Sequence, residues 1–124
     1  MTQAGAQRFH RRPGYNSGMD RHELAEERSL AIHRVIAERI REDPRLIAGA
    51  RSRVAGWLAD GSVHREYAEA WHELLVGPAD RLLAVLADPA ERARALRQTS
   101  PFAGVVDART RWRIWREVRE GFGL

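Results

Sequence analysis

The chain has no cysteine, which excludes disulfides, thiolate metal sites, iron–sulfur clusters and cysteine nucleophiles. It has no lysine either: all 21 basic residues are arginine, whose planar fork suits carboxylates and phosphates and is more weakly hydrated than an ammonium. One asparagine, Asn16, and three glutamines leave little of the amide chemistry that reads base edges in DNA. No apolar run approaches the roughly 20 residues that span a membrane. No apolar stretch follows the N-terminal arginines as a signal peptide requires. The expectation is a cytoplasmic protein without membrane contact. Strand signals are nearly missing as well, since Val105-Val106 is a β-branched pair beside a turn but too short to pair stably.

What remains is ordinary globular material. The 124 residues, 44% hydrophobic and 31% charged, suit one domain with a core of its own. The net charge of +4 is unevenly spread: +3 over residues 1–19, −2 over 20–43, zero over 44–87 and +3 over 88–124. Residues 1–18 lack periodicity and are rich in Gly and Arg, with Phe9 and Tyr15 as their large apolar groups. They read as a flexible arm ahead of a single domain over 19–124.

Helical punctuation runs through that domain. Leu24, Ala31, Ile32, Val35, Ile36 and Ile40 recur at three- and four-residue spacings, which predicts an amphipathic helix over 20–41. A shorter version capped by Ser29 is the alternative. Asp43-Pro44 opens a second helix that ends at Asp60-Gly61. Ser62 is the expected cap of a third, to Val76, and Gly77-Pro78 starts a short fourth, to Ala87. Asp88-Pro89-Ala90-Glu91 combines a cap, a first-turn proline and an acid three residues after the cap, opening a fifth helix to about Gln98. Thr99–Gly104 reads as a corner, with Phe102 either plugging the core or projecting as a docking knob. Asp107 can cap a last helix, Ala108 to about Glu120. The expected class is all-α, a compact bundle of five or six short helices.

Catalytic and metal signatures do not emerge. His64 and His72 are about 12 Å apart along a helix axis, too far to share one metal ion. The five histidines read as surface or partner-facing groups. No glycine-flanked serine elbow and no glycine-rich phosphate loop occurs. A non-catalytic protein with no cofactor and no metal is expected.

The last helix stands out. Its run A-R-T-R-W-R-I-W-R-E-V-R-E puts Trp112, Trp115, Val118 and Phe122 on one side with Ile114 at the edge, and Arg109, Arg113 and Arg116 opposite. Arg111 and Arg119 fall within or beside the apolar arc, where an arginine must pair, snorkel or face a partner. Either both tryptophans fill the core, or this helix joins a partner surface, since Trp and Arg dominate interface hot spots. The candidate contact residues are therefore Phe102, Arg109, Arg111, Trp112, Trp115, Arg116 and Arg119. Phosphate contacts from these arginines are an alternative, but no helix carries a base-reading set, so DNA binding is not favoured and no nucleic-acid-binding residue is assigned. A homodimer is a further alternative.

Two stretches, S-L-A-I-H-R-V-I-A-E-R-I-R-E-D-P (Ser29–Pro44) and A-L-R-Q-T-S-P-F-A-G-V-V-D-A-R-T-R-W-R-I-W (Ala95–Trp115), resemble small helical proteins of bacterial two-gene toxin–antitoxin modules. The resemblance covers most of Ser29–Trp115 and carries no catalytic motif. It implies an antitoxin whose partner is a cognate toxin encoded nearby, neutralised by direct binding and occlusion.

Overall fold

The computed structural model describes residues 17–123, with side chains over 21–123. The arm expected over 1–18, with Phe9, His10 and Tyr15, lies outside the described residues except for its last two, which open the first helix. Six helices follow: α1 (Ser17–Glu42), α2 (Leu46–Asp60), α3 (Arg65–Val76), α4 (Ala79–Ala87), α5 (Glu91–Arg97) and α6 (Ala108–Gly121). No strand occurs among the described residues, and none of the helices is long and apolar enough to cross a membrane. The fold is all-α.

Helix α1 is the central element, packed against α4, α5 and α6, while α2 lies on α3, and α3 also meets α4 and α5. It is continuous, so Ser29 caps nothing. Its buried stripe includes Leu30, Ile36, Ala37 and Ile40, and the last three meet Val54, Trp71, Leu75, Leu82, Leu86 and Ile114 in one core.

The helices end near the expected punctuation, but not always through the expected chemistry. Gly61 closes α2 at φ 72°, the left-handed conformation that glycine adopts without strain. The cap of α3 is His64 rather than Ser62: its Nδ1 accepts the Glu66 N–H at 3.1 Å. Ser62 is used one step earlier, its N–H donating to Asp60 Oδ1 at 2.9 Å, so the chain turns there before the helix begins. Pro44 likewise sits in a turn rather than in the first turn of α2, with the Arg45 side chain bonded to Asp43 at 2.8 Å.

Arginines staple the backbone where helices stop. Arg51 Nε donates to the Leu75 carbonyl at 2.8 Å near the end of α3. Arg97 donates to the Val85 and Asp88 carbonyls at 3.0 and 2.7 Å at the end of α4. Helix ends leave carbonyls short of regular intrahelical donors, and that of Val85 also accepts the Asp88 N–H at 3.4 Å. Arg53 grips the corner, donating to Pro101 at 2.6 Å and Ala103 at 3.2 Å. Arg39 donates to Val105 at 3.0 Å. Arg53→Met keeps the apolar stem and removes two charge-assisted bonds, so it is expected to lower stability by about 1–2 kcal/mol. A urea midpoint that moves down with an unchanged slope is the sign to look for.

Candidate functional site

Packing against α1 decides which side of α6 faces inward. Taking Arg111 as origin at about 100° per residue, Ile114, Trp115, Val118 and Phe122 all fall within about 60° of it. That arc is the one turned to the core: Ile114 and Phe122 are buried, and Arg111, Trp115 and Val118 are half-buried. Trp112 lies about 100° away and Arg119, Arg116, Arg109 and Arg113 span about 80–200°. All five are exposed.

Ile114 lies at the edge of that arc, as expected, and is nevertheless buried at 6% exposed. Of the two readings of the tryptophans, the one in which both fill the core fails, because Trp112 is 57% exposed. The apolar arc is wider than the contact α1 can make, so one tryptophan remains outside. Phe102 leaves the contact set for the opposite reason. It is 1% exposed and packs edge-on against Trp71, ring centres 6.2 Å apart, so it is the plug of the corner and not a knob.

The remaining contact candidates separate into two groups. Arg109, Arg116 and Arg119 share the outer face with Trp112, and none of them forms an ion pair among the described residues. Trp115 and Arg111 sit at the inner edge. The Trp115 ring lies 6.5 Å from that of Trp112, centre to centre. The Arg28 guanidinium lies over the Trp115 ring, 4.6 Å from its centre, a cation–π contact between α1 and α6.

Behind that pair is a cavity of about 400 Å³, within the size range of small-molecule sites. It lies between α1, the loop after α5, and α6, with walls that include Ile32, Ile36, Phe102 and Trp115. Its charged lining is Arg28, Arg97 and Arg111, with no carboxylate. Glu26, next door, is held by Arg94 at 3.3 Å and His22 at 3.4 Å.

His33 also lines this cavity and overturns its reading as a surface group, being 6% exposed. Its Nδ1 lies 2.7 Å from the Ser29 carbonyl. A carbonyl only accepts, so Nδ1 carries the proton and Nε2 the lone pair. Nε2 is buried without a hydrogen-bond partner, as are Nε of Arg28 and Nε of Arg97. Burial, joined by the Arg97 charge and opposed by the Ser29 bond, pushes the His33 pKa down to about 4. Arg97 is 4% exposed, and burial lowers its pKa too, against the pull of Asp88.

None of these three residues was picked out from sequence. His33 could have been, since it stands three residues from both Leu30 and Ile36 in the buried stripe. Arg28 and Arg97 carry no such mark, because arginine is spread along the whole chain. Comparison with known proteins finds no matching family model, no similar curated protein and no similar solved structure.

Proposed function

We propose that this protein works by binding rather than by catalysis, and that the outer face of α6 is the surface a partner protein covers. The observation that carries this reading is Trp112, a large aromatic left 57% exposed among arginines that form no ion pair among the described residues. Burying such a side chain in a partner's pocket is favourable, and Trp and Arg are the residues most enriched at interface hot spots. Five arginines against two glutamates on α6 call for an acidic partner surface. The same charge opposes a homodimer through this face, where like would meet like. The resemblance of Ser29–Pro44 and Ala95–Trp115 to two-gene-module proteins makes that partner a cognate toxin, held inactive by occlusion in the cytoplasm.

The test is co-expression with the product of the adjacent gene. A stable complex that restores growth is expected, and Trp112→Ala should weaken it by about 2 kcal/mol, roughly 30-fold, without lowering the melting temperature of the free protein. Separate elution of the two proteins on a sizing column would sink the reading. A DNA regulator would instead shift its own promoter fragment, with affinity falling steeply as salt rises.

A further inference from the structure

We propose that the cavity between α1, the loop after α5, and α6 is a binding site for a small organic carboxylate with an aromatic body. It stands independently of the α6 outer face, and the isolated chain tests it.

Charge is the first argument. Three guanidinium groups line the space and no acid does. Among the described residues Arg97, 4% exposed, hydrogen-bonds to carbonyls at 3.0 and 2.7 Å, and the charges of Asp88 and Glu26 act on it without a hydrogen bond. A buried cation without a hydrogen-bonded counter-charge is costly, and an anion in the cavity relieves that cost. Unused donors are the second argument, because Nε of Arg28 and of Arg97 are buried without acceptors. Guanidinium forks match carboxylates in geometry as well as charge.

The walls decide what is attached to the anion. Ile32, Ile36, Phe102 and Trp115 offer apolar and aromatic surface that a bare inorganic ion leaves uncovered, whereas a flat ring fits against it. Arg28 is already seated over Trp115 at 4.6 Å, so little side-chain freedom is lost when the anion arrives. Residues 1–16 are a poor occupant, because they carry Arg8, Arg11 and Arg12 and no acidic side chain.

Isothermal titration of the full chain with 2-naphthoate should reveal one saturable site. The neutral isostere 2-naphthamide should bind at least roughly tenfold more weakly, and inorganic phosphate should give no saturable heat. Arg28→Gln and Arg111→Gln should each cost naphthoate roughly tenfold in affinity, while Arg81→Gln, exposed on α4, should cost none. Arg111 is half-buried and its reach to the Val106 carbonyl is a long 3.5 Å, so its variant keeps the comparison usable if Arg28→Gln fails to fold. The proposal is overturned by no binding of naphthoate, by equal affinity for the amide, or by unchanged binding in the folded arginine variants.

Discussion

Lowering the pH from 6.5 towards 4 is expected to remove about 3 kcal/mol of stability through His33 alone. The folded protein holds this imidazole neutral, with a pKa pushed down to about 4 against 6.5 when unfolded. Between those values the unfolded chain binds the proton and the native one does not. Stability is therefore undiminished by this group above 6.5, falls as pH drops through the interval, and levels off below about 4. Desolvation is the larger cause, and the Arg97 charge adds to it. Arg28 and Arg111, which line the same cavity from α1 and α6, leave no carboxylate lining it to soften a second charge. His33→Leu should remove this pH dependence, because the apolar side chain keeps the contacts with its neighbours and has nothing to titrate. Urea unfolding at pH 7.5 and pH 4.5 makes the comparison. The wild type should lose several kcal/mol, roughly 10 °C in melting temperature, while the variant should lose only what the carboxylates contribute. Equal losses in the two proteins would mean that His33 is not the responsible group.

The second large effect is expected at Trp71. This side chain is wholly buried and ties three parts of the core together. It belongs to α3, its Nε1–H donates to the Leu96 carbonyl at 3.0 Å in α5, and its ring meets Phe102 edge-on at 6.2 Å. Trp71→Ala should cost about 3–5 kcal/mol, since the cavity left behind collapses only partly. That is a large share of the 5–15 kcal/mol typical of a domain, so the variant should melt far lower or fail to accumulate. Trp71→Phe separates the contributions. The Leu96 carbonyl also accepts the Thr99 N–H at 3.2 Å, so losing the indole does not orphan it. A cost of about 1–2 kcal/mol is expected, read by circular dichroism melting. An alanine variant as stable as the wild type would show that the corner does not depend on this anchor.

Much of the architecture was legible beforehand because its signals are local. Proline cannot donate and cannot continue a helix, and Gly61 accepts the φ of 72° that ends α2 wherever the rest of the chain lies. Asp88 and Pro89 instead form a turn, with Asp88 accepting the Ala90 N–H at 2.9 Å, and the cap position of α5 is Ala90 rather than the expected Asp88. Caps were less secure. Ser62 and His64 can both accept from a nearby N–H, and the choice depended on the turn that Asp60 had already made. The candidate site was legible in part. The last helix announces itself through its arginines and tryptophans, but a wheel on which Ile114, Trp115 and Trp112 are all apolar does not say which of them stays dry.

The order of the helices, their class and the abundance of arginine along them were thus written into the chain itself, because each follows from chemistry acting within a turn or two, whereas the choice between five and six helices was left to the structure. Which arginines are spent on carbonyls, which line a cavity and which stay free on α6 was decided only when α1 docked against α4, α5 and α6. So was the burial of His33 and the exposure of Trp112. Burial is a property of what packs opposite a residue, and for these residues the opposing surface comes from distant parts of the chain.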